Sequence, residues 1–514
     1  MNFLDRVFYF FSPKTALQRS AARAQLALIE SGARKYEGAS KASRVSLWNP
    51  GDTSANDEIR GGASGLRARA RDLRRNNAYA HRAIQVLTTN VVGTGIKPVF
   101  NIKNKTLKKF FDQAWKDWAE KTTACDFENF FNLQGLQSLV MDSVAESGEV
   151  FILRKRLAKA KGVPLKLQLL EADFLDNAYN ADLNGGGRIR QGIEFNSMGD
   201  RVAYHFWKNH PGETGTVRLG TSVEKIRVPA SEVVHVFEKK RPGQIRGVSF
   251  LHPVMIRLHD LDIFQDASLK KQQISACFAG FIYNATGDTL PNTYNQTTDW
   301  ELLEKLDSGT IETLPPGFDI KFAEPPSSQE YPAFVRTELM SIASGLGITY
   351  EALTGDYSNV NFSSARMGFL EFQRNIKRWQ NELMITQFLT TVFDWFVDAI
   401  QFSAGSQAYN ISADKVGVTW TTPAREMVDP SKEIPAHRDA VKAGFKSISE
   451  VIRSMGYNPD EVFEERAKEI VELKKLGIAT DSDPSLEKAP APQPEKPKTE
   501  PKGEKENEDP DTQD

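Results

Sequence analysis

Cysteine is nearly absent: 514 residues carry two, Cys125 and Cys277. Two isolated cysteines make neither a disulfide framework nor a zinc pattern, and they suit small buried side chains in a reducing cytoplasm. An excess of charge of one sign is missing too. Sixty-five Lys and Arg face 67 Asp and Glu, a formal net charge of −2. Proteins that grip DNA gain affinity by neutralising phosphates, so tight electrostatic binding of nucleic acid is not expected. Residues 481–514 hold 11 acidic and 5 basic residues, which leaves only +4 for residues 1–480. No run approaches the ~20 apolar residues that cross a bilayer. The opening MNFLDRVFYFF is apolar but short, contains Asp5, and meets Pro13 soon after. It lacks the basic start and cleavage site of a secretory signal; an interfacial anchor is the other reading.

Catalytic patterns are also missing. There is no G-x-x-x-x-G-K-[ST], no H-E-x-x-H and no Cys/His cluster at zinc spacing. VVGTGI is not followed by Lys-Ser or Lys-Thr; Gly93 and Gly95 fit a tight turn out of a helix. His205 with His210, or His252 with His259, are conceivable ligand pairs, but no carboxylate pattern accompanies them, and ordinary surface or half-buried histidines account for them. Asp394 and Asp398 lie one helical turn apart and could hold a divalent ion, as in a nuclease. No further acidic residue or lysine lies nearby in sequence, so a solvated or ion-paired helix face explains them better. No catalytic residue, metal ligand or cofactor is expected.

What is present reads as an α+β chain. Residues 1–60 suggest an arm, with an alanine-rich helix near 16–29 and one aromatic anchor, Trp48. A strong helix is expected from Gly65, carrying Arg67, Arg69, Arg71, Arg74 and Arg75. These arginines are either a nucleic-acid stripe or a solvated face that pairs with acidic neighbours; no stacking aromatics interleave them, which favours pairing. Helices follow at 107–121 and 133–147. Strands are expected at EVFILRK, LKLQLLE, GIEFN, RVAYHFW and EVVHVFEK, with turns at NGGGR and SMGD.

A long helix is expected after LHPV, with Pro253 at its first position and Val254, Leu258 and Leu261 on its apolar face. Residues 285–326 read as an insert with a short helix, TTDWELLEKLDSG, and a strand pair around IETL and DIKFAE. From residue 331 onward the pattern is helix, loop, long helix. Ala365, Phe369, Phe372, Ile376, Trp379 and Leu383 alternate in steps of four and three, one stripe on one helix face. KVGVTWTTP reads as a strand. Asp429 with Pro430, Ser447 with Glu450, and Asn458 with Pro459 open three short helices, with Gly444, Gly456 and Gly477 as stops. Residues 481–514 contain seven prolines and no aromatic residue, the composition of a disordered tail.

Three stretches carry a resemblance. LRARARDLRRNNAYA followed by VVGTGI, then a basic turn with GVSFLHPV, then GLGITYEALTGDYSNVNFSSARMGFLEF before a long helix, resemble in this order the lambda-type portal proteins of tailed bacteriophages. The match runs over about residues 31–475. It implies a portal fold with an α/β wing, a helical stem, a small clip insert, a long channel helix and a helical crown. In those terms residues 1–61 are an arm, 62–251 the wing, 252–284 a stem helix, 285–326 the clip, 327–350 the second stem helix and 351–363 a tunnel loop. Residues 364–402 are the long helix, 403–428 a wing-associated strand segment, 429–478 the crown and 479–514 the tail.

The resemblance also implies a function. Identical copies, usually twelve, form a ring at one capsid vertex, through which double-stranded DNA is packaged and later ejected without sequence specificity. The implied partners are the terminase large subunit, major capsid and scaffold proteins, and head–tail joining proteins, in the virion and in the host cytoplasm during assembly. Asp356, Tyr357, Ser358, Asn359, Val360, Asn361 and Phe362 form the candidate channel-facing loop; an interface loop between subunits is its alternative. A terminase-associated nuclease or motor component, or a structural adaptor without a channel, are the other classes.

Overall fold

The fold is taken from a computed structural model that describes residues 22, 51–157, 162–213, 224–277, 281–284, 318–321, 331–403, 416–424, 427 and 429–478. The expected helices at 16–29 and 297–309, the strand at IETL and the acidic tail lie outside the described residues, apart from Ala22, which is helical.

Helix α1 (Ala55–Asn76) starts ten residues before the expected Gly65. Ser54 caps it, and Ala55, Ile59 and Ala63 are buried, so the end of the presumed arm is packed into the body. Asn77 ends α1 and caps α2 (Ala78–Val91) by accepting from the Ala80 amide, which splits the expected single helix. Strand β1 (Lys97–Asn101), helix α3 (Lys105–Ala119), the turn α4 (Thr122–Cys125) and helix α5 (Leu133–Ser147) follow.

Strands β2 (Glu149–Arg156) and β3 (Leu165–Glu171) are joined by β9 (Val233–Phe237) into an antiparallel sheet, order β3–β2–β9. Both faces of β2 are covered. Val150 and Ile152 belong to the main core, while Phe151 and Leu153 belong to a second, smaller one. Two-sided burial is why EVFIL reads as continuous apolar sequence and not as an alternation. The second core sits under a five-stranded antiparallel sheet of β4 (Ala181–Asp182), β5 (Arg188–Arg190), β6 (Ile193–Phe195), β7 (Arg201–Trp207) and β8 (Lys225–Pro229). NGGGR and SMGD are its turns, as expected; β4, β5 and β8 had been too short or too polar to notice.

Pro253 lies in a turn, and α6 (Met255–Cys277) begins two residues later than expected. Val254, Leu258 and Leu261 are buried. Helix α7 (Tyr331–Leu346) packs beside it through an Arg257–Glu338 ion pair at 2.6 Å and the rings of Phe264, Tyr331 and Phe334. Beyond α6, β10 (Phe281–Asn284) pairs with β11 (Phe318–Lys321). One partner of FDIK is therefore FIYN; the expected pairing with IETL lies outside the described residues.

After the short α8 (Tyr350–Thr354) and a loop, α9 (Phe362–Trp379) runs into a π-helical segment (Gln380–Leu389) and then α10 (Thr390–Ile400). Helix α9 starts two residues before the expected 364. The reading of one regular helix missed the π segment. There the Thr390 amide and hydroxyl both donate to the Ile385 carbonyl, five residues back. The wide turns bring Gln380 and Gln387 onto the body: Gln380 donates to the Val91 carbonyl at 2.9 Å, and Gln387 bonds both the amide and carbonyl of Phe237. The stretch Ser363–Ile400 is also long and apolar enough to cross a membrane, at mean hydropathy 1.3, which the search for uninterrupted runs overlooked; 61% of its most apolar window is buried within the protein, as in a core helix. Phe393 and Phe396 join Phe100, Phe111, Trp115 and Trp118 in an aromatic core.

Strand β12 (Gly417–Thr421) returns to pair antiparallel with β1, and Trp420 packs edge-on to Trp115 and Phe393. Helices α11 (Pro430–Lys442), α12 (Ile448–Ser454) and α13 (Pro459–Leu476) complete the described chain. Ser447 and Asn458 cap as expected through the amides of Glu450 and Asp460. Asp429 stands at the cap position of α11, but its carboxylate takes the Ser431 hydroxyl and Lys432 in place of a helix amide.

Candidate functional site

The loop between α8 and α9 is held by its own polar groups. Asp356 accepts from the Ser358 amide at 3.0 Å and hydroxyl at 2.6 Å through one oxygen, and from the Tyr350 hydroxyl at 3.2 Å through the other. The Ser358 hydrogen bonds hold the Asp356 carboxyl below the usual carboxylate range. Asn361 caps α9 by accepting from the Ser364 amide, and Gly355, at φ +73°, turns the chain out of α8. Arg336 lies over the Tyr350 ring, 5.1 Å from its centroid. Tyr357, Ser358, Asn359 and Asn361 are exposed, Asp356 and Val360 half-buried, and Phe362 begins the helix. A short polar segment is thus fixed in shape with one aromatic ring, Tyr357, facing solvent.

The arginines of α1 do not form a free cationic stripe. Arg67 bonds Asp173 at 3.2 Å, Arg71 bonds Glu171 at 2.8 Å and Asp173 at 2.6 Å, and Arg74 bonds Glu146 at 2.9 Å and also Asp142. These three pair with acidic neighbours on a partly buried face, and Arg67 is buried; Arg75 lies 3.9 Å from Asp72, and Arg69 is exposed. Burial works against the charge of Asp173, and Arg67 and Arg71 more than offset it, holding its pKa low.

At the centre lies a buried cluster that the sequence reading missed. The guanidinium of Arg246 bonds both oxygens of Glu149, the Gly247 amide donates to Glu149 at 2.9 Å, and His235 Nε2 lies 3.0 Å from it. Arg67 reaches Glu149 at 4.0 Å. Burial alone would raise the Glu149 pKa; Arg246 and the His235 hydrogen bond reverse this and keep it anionic. His235, enclosed by Phe151, Tyr204 and Phe237, is pushed down to about 4 by burial and is neutral. Its Nε2 then donates to Glu149, and its Nδ1 has no hydrogen-bond partner among the described residues. Gly148 and Gly247 touch backbone to backbone here; a Cβ on either would overlap the other strand of chain. The first and second distinctive stretches of the sequence, LRARARDLRRNN and RGVS, therefore meet on one carboxylate.

The catalytic alternatives find no support among the described residues. His205 bonds Glu194, which Arg227 already clamps at 2.8 Å twice. His252 Nδ1 faces the Ser249 carbonyl at 2.8 Å, and burial lowers its pKa. Asp398 pairs with Arg154 at 3.3 Å on the exposed side of α10. Cys125 is buried, and desolvation pushes its thiol up to about 12, which favours the neutral thiol over the thiolate. Glu171, Asp173 and His210 come together, but Arg71 already bonds both carboxylates and stands where a cation would. Glu171 and His210 border a cleft of about 630 Å³ between the two cores, floored by Leu136, Leu153, Leu169 and Phe206.

A family profile described as phage portal protein, lambda family, matches residues 41–380. The chain belongs to that family. A probable portal protein of Halomonas phage phiHAP-1 is 26% identical over 431 residues, 80% of this chain and 81% of the relative. Portal protein B of Escherichia phage lambda is 22% identical over 475 residues, 84% of this chain and 88% of the relative. Among solved structures, a chain in the neck of a native gene transfer agent particle, computed with C12 symmetry, aligns at 15% identity and a TM-score of 0.45, covering 80% of this chain and 95% of that one. An HK97-family phage portal protein from Corynebacterium diphtheriae aligns at 10% identity and a TM-score of 0.35, covering 71% and 96%. The portal family match spans both stretches that converge on Glu149 and the loop after α8.

Proposed function

We propose that this portal-family chain is the subunit of a ring, of about twelve copies by analogy with its family, seated at one capsid vertex. Double-stranded DNA is packaged and ejected through its central channel. Terminase docks on it during packaging, and head–tail joining proteins replace it afterwards. The observation that carries this reading is the family match over residues 41–380. In this reading α1 through β9 form the wing, α6 and α7 the stem, residues 285–326 the clip, residues 351–363 the tunnel loop and α11–α13 the crown. The chain acts without catalysis, as a conduit and docking body.

The charge balance supports a conduit. A ring of unpaired cations would multiply phosphate contacts by symmetry and stall the moving duplex. Here Arg67, Arg71 and Arg74 of α1 are paired internally. The loop at Asp356–Phe362 brings polar side chains and one exposed ring, Tyr357, to a fixed position suited to sliding contact.

Negative-stain imaging of the purified chain tests the proposal. Annular particles with a central hole wide enough for a duplex are expected; a stable monomer under all assembly conditions would overturn it.

A further inference from the structure

Helices α11–α13 cannot be a finished unit in a single chain. Of their residues only Pro459 is buried. Phe445 is 84% exposed, Leu476 66%, Ile448 56% and Ile434 55%. Three helices with this much apolar surface in water call for a cover. Their tie to the body is narrow: Lys108 bonds Asp460, and Gly456 touches the backbone of Ala424.

Charge divides the layer into two unlike faces. Lys442 and Lys446 make the end of α11 and its following turn basic, while Arg438 is paired with Asp439 at 3.2 Å. Asp460, Glu461, Glu464 and Glu465 make the first two turns of α13 acidic. The acidic face is already crowded. Asp112 of α3 has its pKa raised, by burial first and further by Asp460, Glu461 and Glu464. No ion pair joins Lys442 or Lys446 to these carboxylates within the chain, among the described residues. Opposite faces that do not meet in one copy are placed to meet between copies, head to tail.

We propose that the layer of residues 430–478 is completed by the same layer of a neighbouring copy. The basic end of α11, with Phe445 and Ile448, seats against the acidic start of α13. This rests on the ring reading and names the surface that closes it.

The test uses the full-length chain, with ring formation followed by mass photometry and sedimentation velocity. Lys442→Glu with Lys446→Glu, and separately Glu464→Lys with Glu465→Lys, are each expected to raise the concentration needed for assembly about tenfold or more. An equimolar mixture of the two variants restores rings, because each reversed face then finds its complement on the other chain. Phe445→Asp with Ile448→Asp prevents assembly, with circular dichroism showing an unchanged fold. If all variants assemble like the parent, the inference fails while the ring reading stands; if the parent itself forms no rings, the ring reading fails. Should truncation after residue 478 be what abolishes assembly, with the charge variants silent, the tail covers the layer and the inference is again overturned.

Discussion

Glu149 is surrounded by groups that leave it no alternative to being an anion. Breaking a buried, hydrogen-bonded pair strands the other charge, at a cost of about 3–5 kcal/mol. Glu149→Ala is therefore expected to lower the urea midpoint sharply, because Arg246 and Arg67 lose their shared acceptor. His235 adds a pH dependence of known sign. Its folded pKa of about 4 lies below the ordinary ~6.5, so the unfolded chain binds the proton more readily. Its contribution is complete above about pH 6.5 and falls away as pH drops towards 4. Glu149 adds a further loss only below its ordinary range near pH 4, since its pKa is depressed. His235→Phe is expected to flatten the stability profile between pH 7 and 4 by up to about 3 kcal/mol, read from denaturation midpoints. An unchanged slope would mean that another group titrates there. This cluster was partly legible in advance. Arg67, Arg71 and Arg74 step by four and three, the spacing of a buried stripe, and Arg67 is flanked at the same spacing by Ala63 and Ala70. The carboxylates that receive them, Glu149 and Asp173 for Arg67, Asp173 and Glu171 for Arg71, Asp142 and Glu146 for Arg74, lie many residues away and could not be assigned from sequence, since the pairing is made by the fold.

At the scale of elements, caps and periodicity carried most of the information. Helix α5, the strand around EVFIL and the caps at Ser447 and Asn458 occur where local chemistry places them. The departures share a cause: each is set by a distant contact. Helix α1 begins early because Asn56 bonds the Gly243 carbonyl and the Ile245 amide. The π segment forms where Gln380 and Gln387 find backbone partners on α2 and β9. The pairing of FDIK with FIYN could not be foreseen, because register between separated strands is not written in either strand alone. The loop after α8 gives the prediction proper to this scale. Its internal bonds and the Asn361 cap keep it apart from the cores, so deleting residues 356–361 should leave ring formation intact while DNA packaging stops. Normal packaging by such rings would remove the loop from the channel.

The whole molecule shows two cores sharing one sheet, with a helical pair projecting from them and a thin helical layer at the end of the chain. Family membership was readable because three long motifs occur in order, and that is a property of the entire chain. Neither ATP hydrolysis nor divalent-dependent cleavage of DNA is expected of the purified protein. Sustained turnover in either assay, lost on mutating Glu171 or Asp173, would assign those carboxylates to chemistry instead of to Arg71.

Strand β1 has β12 as its sole strand partner among the described residues, some 320 positions later in the chain. During synthesis, then, β1 stays without its strand partner until residues 417–421 have been made. A message cut short before Gly417 yields a product with a bare edge and an aromatic cluster missing Trp420, a fragment for proteases and not for capsids. A chain that stops before Gly417 lacks the strand that covers the edge of β1.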